Sequence, residues 1–398
     1  MKKIGLYLSS NELSGGSFQY NINFISITSK LCKKNYDITY IYTDKVWNNY
    51  IPKSEKKIFL PGGLYKNIFK NLLRVKLIKQ IIYLFIILFK RLFQINILKI
   101  KRKNNALDNL KLDVIIFPSQ DFISYQIKTK SIVAIHDLMH RYNDFDEYSA
   151  KEKEMRDIHY QAICLNTKVI LVDSNMGKKH VLESYSCKKN KLIVFPFAPP
   201  TYLFEKQKIN VIKKYNLPKD YLFYPANFWE HKNHINLLYA MKILIQKGYD
   251  FNLVLSGQIK NNYSNIVTLI NLIGLKKNVT FIGYTPSNEM YSLYKNSFAT
   301  IFASFIGPTN IPPLEAIYCN SPLICSSAYA MKEQVGDAGL FFDPNNSYEI
   351  ANQIISLKEK KNLRKQLIKN SRKKLKDLNL DNSTIILKRI LKSKLLNI

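Results

Sequence analysis

Two stretches in the second half of the chain combine the residue types needed to hold an anion. Tyr224-Pro225-Ala226-Asn227-Phe228-Trp229-Glu230-His231-Lys232-Asn233-His234 sits where a strand ends and a helix opens. A cation at Lys232, beside a helix N-terminus whose first N–H groups lack partners, makes an anion site. Further on comes Phe305-Ile306-Gly307-Pro308-Thr309-Asn310-Ile311-Pro312-Pro313-Leu314-Glu315-Ala316. Its Gly, Pro and Asn residues mark a loop leading into a helix that opens at Pro312, with N–H groups converging on an anionic ligand. Glu315 falls in the first turn of that helix. A carboxylate there accepts hydrogen bonds from a vicinal diol such as a ribose; it is equally a first-turn glutamate favourably placed on the helix dipole.

The first half carries fewer such signals. Gly15-Gly16 follows an apolar run and precedes a helical pattern. Glycines there let the backbone approach a phosphate at a helix N-terminus, or simply close a tight turn; the spacing is not Gly-x-Gly-x-x-Gly. His136-Asp137 follows the run Ile132–Ile135. Ligands of open α/β sheets bind at the carboxyl ends of strands, so His136 can donate to a hydroxyl or a phosphate. It can equally be a structural histidine, with Asp137 capping the next turn. At Asp173-Ser174-Asn175, Ser174 reads as the N-cap of a helix over 175–184, not as a catalytic group.

Short apolar runs must position these residues. Ile4–Leu8, Ile38–Tyr42, Val114–Phe117, Ile132–Ile135 and Val169–Val172 read as buried parallel strands, with helices over 17–33 and 148–166. Pro196, Pro199, Pro200 and Pro218 punctuate a polar stretch, 196–220, that reads as a domain linker. The rhythm restarts with strands Tyr221–Pro225, Asn252–Ser256, Val279–Ile282, Thr300–Phe302 and Pro322–Cys325. Helices are expected over 233–247, 262–273, 287–296, 312–319 and 346–358. Such alternation predicts two α/β units with parallel sheets and a cleft between them. The expected division is 1–200 and 201–377, with a last helix over 378–398 packing back on the first unit.

Composition narrows the class. A chain of 398 residues suits two domains, and a hydrophobic fraction of 46% supplies two cores. The opening apolar run is shorter than the about seven to fifteen residues of a signal peptide and reads as a strand. Ile81–Phe89 is about half of the ~18 apolar residues of a membrane span. Five scattered cysteines without a Cys-x-x-Cys pair fit a reducing cytoplasm and argue against disulfides or structural zinc. A net charge of +31 favours anionic partners, although a chain rich in Lys, Asn and Ile throughout accounts for part of it. No nucleic-acid motif accompanies that charge. Residues 56–107 contain no acid, many Lys and Arg, and interleaved apolar residues. That pattern fits a basic helix on an anionic membrane surface, or a helical hairpin packed on the first unit with its lysines solvated.

Taken together, these residues resemble glycosyltransferase family 4, retaining nucleotide-sugar enzymes of the GT-B fold. The resemblance rests on Gly15-Gly16, Ile135-His136-Asp137-Leu138, Pro225 to His234, Phe281-Ile282-Gly283-Tyr284, Gly307 to Glu315, and Gly336 to Pro344. It covers nearly the whole chain and is strongest from Tyr221 to Pro344. It implies an α/β GT-B architecture, two Rossmann-like domains facing each other across a cleft. It also implies transfer of a sugar, with retention, from a nucleotide-sugar donor to a glycan, as on a lipid-linked lipopolysaccharide, capsule or exopolysaccharide precursor at the inner face of the cytoplasmic membrane. By position, Lys232 and Asn227 lie at the donor diphosphate and Glu315 holds the ribose. Gly307, Thr309, Asn310 and Ile311 touch sugar and phosphate, and Tyr284 flanks the base. His136 faces the reacting sugar, and Gly15 and Gly16 approach phosphates and acceptor. No cofactor and no metal are implied; Asp144-Phe145-Asp146 lies in the wrong region for a metal-binding Asp-x-Asp and reads as a solvated turn. Two positions depart from the family pattern. Gly307 replaces the first Glu of Glu-x7-Glu, and Asn227 replaces the usual Arg, leaving Lys232 to carry more of the charge. A nucleotide-sugar epimerase of the same fold would instead isomerise the donor without acceptor. A non-catalytic anion-binding protein would hold DNA through moderate salt.

Overall fold

The computed structural model describes residues 1–12, 15–61, 80, 81, 84, 85, 87, 88, 106–142, 145, 148–307 and 309–396. The chain divides into two compact units, Met1–Pro196 with Leu380–Ile398, and Phe197–Asn379. The first contains a parallel sheet of β1 (Lys2–Leu8), β2 (Tyr36–Tyr42), β3 (Lys56–Phe59), β4 (Val114–Phe117), β5 (Lys130–Ile135), β6 (Val169–Val172) and β7 (Leu192–Val194). Their order is β3-β2-β1-β4-β5-β6-β7. A parallel strand covered on both faces must be apolar throughout. Accordingly β4 is Val-Ile-Ile-Phe and β6 Val-Ile-Leu-Val, with every residue buried. Helices of this unit among the described residues include α1 (Gly16–Ser29), α2 (Met139–Tyr142), α3 (Ala150–Asn166) and α4 (Asn175–Ser184). A capping box opens α3: Ser149 Oγ accepts from Glu152 N–H, and the Glu152 carboxylate accepts from Ser149 N–H at 3.1 Å. Ser174 caps α4, accepting from Gly177 N–H at 3.0 Å.

The basic stretch 56–107 begins with a strand, not a helix. Lys56 to Phe59 pair with Thr39 to Tyr42 as β3, at the edge of the sheet. Lysines suit an edge, where they discourage pairing with another chain. Most of the remaining stretch, and both aspartates of Asp144-Phe145-Asp146, lie outside the described residues.

The second sheet contains β8 (Leu222–Pro225), β9 (Leu253–Ser256), β10 (Val279–Gly283), β11 (Ala299–Phe302), β12 (Leu323–Ser326) and β13 (Gly339–Phe342), in the order β10-β9-β8-β11-β12-β13. Its helices are α5 (Val211–Tyr215), α6 (His234–Gln246), α7 (Tyr263–Leu272), α8 (Ser287–Asn296), α9 (Ile311–Cys319), α10 (Met331–Val335), α11 (Ser347–Glu359) and α12 (Leu363–Lys374). The proline-rich stretch 196–220, expected as a linker, is largely part of this unit. Leu203 and Val211 are fully buried in its core, each contributing about 1.5–3 kcal/mol. A last helix, α13 (Leu380–Lys392), returns to the first unit and packs on α1. Lys2 Nζ donates to the Leu391 carbonyl at 2.9 Å.

Both sheets reverse their winding beside their first strand, between β1 and β4 and between β8 and β11. Loops leaving the carboxyl ends of those strands turn to opposite faces and open a crevice. Among the described residues, no helix is long and apolar enough to cross a membrane.

Candidate active site

In the second unit the crevice is framed by the loops after β8 and β11. Glu230–Lys232 forms a 3-10 turn, and Asn233, at φ 58°, redirects the chain into α6. Asparagine tolerates this left-handed conformation better than most residues. The buried Asn233 amide donates to the carbonyls of Ala303 (3.0 Å) and Pro344 (2.7 Å), joining the β8 loop to those after β11 and β13. Phe305 N–H donates to the His231 carbonyl at 2.9 Å. The Lys232 carbonyl accepts from the Tyr224 hydroxyl, and Lys232 Nζ lies 5.5 Å from the centre of the Phe302 ring. The two stretches with anion-holding residues are thus brought together, with the lysine at the end of β11. His234 follows, fully buried, with the rings of Tyr224 and Phe228 each 4.9 Å away. Burial, reinforced by the charge of Lys232, pushes its pKa down to about 3, so it is neutral at pH 7. Asn227 points its side-chain oxygen at Gln258 N–H (2.8 Å), in the loop after β9.

The loop after β11 departs from the expectation at two places. Asn310 N–H is already donated to Gln334 Oε1 at 2.9 Å, and Gln334 Nε2 donates back to the Asn310 carbonyl at 2.7 Å. That N–H is therefore occupied, whereas the sequence reading assigned it to a ligand. The helix α9 starts at Ile311, so Glu315 stands in its second turn, and the first turn holds no acid. Glu315 is only 5% exposed. One of its oxygens accepts from the Tyr202 hydroxyl and the other from Tyr294. Burial raises its pKa above the ordinary carboxylate value, and the two phenols partly offset this. Two of about four lone-pair positions on a carboxylate are then used. Tyr284, just after β10, is 62% exposed.

Gly307 explains why the family's first glutamate is missing. Its φ is 111°, and a Cβ there would lie 2.6 Å from Asn310 Nδ2. Asn310 fills the space a side chain at 307 would need.

In the first unit, Gly15 (φ 55°) precedes α1, and Gly16 is its first residue. Asn21 on α1 donates to Ser119 Oγ at 3.1 Å, across the winding reversal beside β4. His136 follows β5, edge-on to the Tyr20 ring of α1 (centroids 4.8 Å apart, 90°). Its pKa is lowered by burial, with Asp137 and a hydrogen bond to the Pro118 carbonyl pulling the other way. Asp137 caps as the structural alternative expects, accepting from Met139 N–H at 3.0 Å.

Residues 205–374 match the family described as glycosyl transferases group 1. The second unit is a glycosyltransferase domain. Among curated proteins, the chain is similar to O-antigen chain mannosyltransferase B of Escherichia coli, 25% identical over 48% of this chain and 51% of that protein. It is also similar to O-antigen chain mannosyltransferase RfbU of Salmonella typhimurium, 26% identical over 42% of this chain and 48% of that one. The chain thus spans about half the length of the curated relatives it matches. A glycosyltransferase from Rickettsia africae shares the fold with a TM-score of 0.69, 17% identity and 99% of both chains covered. Anabaena HepE in complex with UDP-glucose does so at 0.71, with 12% identity, 98% of this chain and 99% of that one. Two parallel Rossmann-like sheets of the GT-B type are therefore the fold of this chain, as its motifs implied.

Sequence reasoning missed several residues of this domain's crevice. Asn233 joins three loops, Gln334 reads the Asn310 backbone, and Tyr202 and Tyr294 hold Glu315. Asn233 lies inside a recognised motif and was open to notice. Tyr202 falls in the stretch taken for a linker, where nothing in the pattern marks a tyrosine as buried.

Proposed function

We propose that this protein is a retaining glycosyltransferase that moves a sugar from a nucleoside-diphosphate donor to a cell-surface glycan. One observation carries the reading: Lys232 and the loop 303–311 meet at the β8/β11 winding reversal of a glycosyltransferase domain. As the donor breaks, negative charge grows on the leaving diphosphate. Lys232 and the N-terminus of α9 meet that charge, and preorganised groups of this kind are worth most in the transition state. Glu315 turns its remaining lone pairs to the ribose, and Tyr284 flanks the base. Gly307, Thr309, Asn310 and Ile311 border the sugar, with Asn227 behind. On the first unit, His136 faces the reacting sugar and Gly15 and Gly16 the acceptor side. In this reading protein cations neutralise the diphosphate and no metal is required. Relatives named as mannosyltransferases favour transfer over epimerisation and make mannose the first sugar to test.

The acceptor in this reading is lipid-linked, and the protein works at the inner face of the cytoplasmic membrane. Ile81, Leu84, Phe85 and Leu88 are all exposed at helical spacing, in a stretch without acids, while Ile87 is buried against Met155 and Ile158. Such a face suits an anionic interface. Sedimentation with anionic vesicles, weakened by salt and by replacing Lys66, Lys70, Arg74, Lys76 and Lys79 with Gln, supports it; equal partitioning of variant and wild type removes it. The donor is tested by screening nucleotide sugars, GDP-mannose and UDP-glucose first, for nucleoside-diphosphate release with and without chelator. NMR of the product's anomeric proton reads retention. Release that needs added magnesium or manganese overturns the donor-site reading, and donor isomerisation without acceptor makes the protein an epimerase.

A further inference from the structure

On α3, two adjacent residues of opposite charge grip the segment that follows β5. Arg156 Nη2 lies 3.7 Å from Asp137 Oδ1 and donates to the Tyr160 hydroxyl at 2.9 Å. Its guanidinium carbon lies 4.6 Å from the centre of the Tyr148 ring and 5.5 Å from that of Tyr160, so the fork is held by aromatic faces as well as by charge. Asp157 Oδ1 takes three donors: His140 Nε2 at 3.0 Å, Arg141 Nε, and the Tyr185 hydroxyl at 2.8 Å. Burial alone would raise its pKa, but these three donors hold it well below the usual carboxylate range. It is therefore ionised, and His140 Nε2 must be the donor. Arg156 thus grips the first residue after His136, and Asp157 the third and fourth residues beyond that. The helix providing both is itself fixed, with a capping box at its start and Ile158, Tyr160 and Ile163 in the core.

Partly buried ion pairs add little net stability; their best-attested use is to specify one geometry. We propose that Arg156 and Asp157 are positioning residues that hold the backbone after β5, and with it the place of the His136 imidazole, whose ring meets the Pro118 carbonyl and the Tyr20 edge. The consequence for turnover rests on the reading of His136 given above. Nothing about the clamp's geometry depends on it.

The test separates the two. Histidine-labelled wild type, R156M, R156K, D157N and D137N are compared by the imidazole signal of His136, assigned through H136Q, with His234 in the other unit as reference. D137N keeps an acceptor for Met139 N–H while removing the charge facing Arg156. The His136 signal should move in R156M, D157N and D137N, return toward wild type in R156K, and leave His234 in place. With the nucleotide sugar that turns over best, kcat should fall roughly 100-fold, the scale of a 1 Å misplacement, with donor KM unchanged. A His136 signal unmoved in every variant that folds overturns the proposal, whatever the rates. A moved signal with unchanged kcat, in a protein where H136A is also active, leaves the clamp standing and removes His136 from the chemistry.

Discussion

The two crevice regions are held in different ways. Around Lys232, the ties between loops are neutral: Asn233 to two carbonyls, Gln334 to the Asn310 backbone, and Phe305 N–H to His231. After β5, the ties are charged: Arg156 to Asp137, and Asp157 to His140 and Arg141. Neutral amide ties keep their strength across pH and salt, and they add no charge that competes for an incoming diphosphate. Charged ties act over longer distances and fix direction, but they respond to both. In the function proposed above, an arriving diphosphate would meet Lys232 among neutral ties. The first unit uses charge to hold a segment of backbone.

The largest effect that would sharpen this contrast is at the lysine. K232A should lower kcat by roughly 100- to 1,000-fold while unfolding within about 0.5 kcal/mol of wild type. Near-normal turnover would mean the neutral ties do not serve an anion. Next, N233A takes the donor from the Ala303 carbonyl, while the Pro344 carbonyl keeps Asn236 at 2.9 Å; one unsatisfied group costs ~1–3 kcal/mol. Its urea midpoint should fall accordingly, with little dependence on salt; a strongly salt-dependent loss would erase the distinction drawn here. G307E restores the family's usual residue type at a φ of 111°. It should cost about 1–3 kcal/mol in strain and reduce donor affinity, read by denaturation and by nucleotide titration. A gain in activity would show that the loop readily adopts another form.

The smallest effect concerns a buried carboxyl group on α9. Glu315 has a folded pKa raised from 4.5, so as pH climbs the unfolded chain gives up its proton first. Its contribution to stability is full below the unfolded pKa and is lost as pH rises through the raised folded value. The stability of wild type minus that of E315Q, from urea midpoints, should therefore decline as pH rises from about 4 and then level off. A difference that grows with pH would mean that the ionised carboxylate is stabilised.

Ten of the strands were legible because apolar runs as short as Val169 to Val172 stand out between amphipathic stretches; the short β7 and β13, and the order of the strands in each sheet, were not read. Ser174 was legible because capping chemistry is local. What escaped depends on contacts remote in sequence. β3 hides behind Lys56 and Lys57, since an edge strand needs no apolar alternation. The segment around Leu203 looked like a linker because its prolines dominate the local pattern, while its burial is decided by residues about a hundred positions away. Glu315 was read in the first turn because Pro312 resembles a first helical residue; with Ile311 ahead of it, Glu315 stands one residue further on, at the start of the second turn. Gln334 and Asn310 recognise each other through a backbone–amide pair that no spacing rule announces.

The return of α13 to the first unit has a consequence for how the chain is made. Residues 380–392 complete a body whose other parts lie before residue 197, whereas the second unit is contiguous. Domains usually close in the order they leave the ribosome. Here the order is inverted: the nascent second unit has all its strands in hand while α1 still waits, uncovered, for a helix not yet translated. A chain stalled near residue 379 would carry a finished second unit and an unfinished first one.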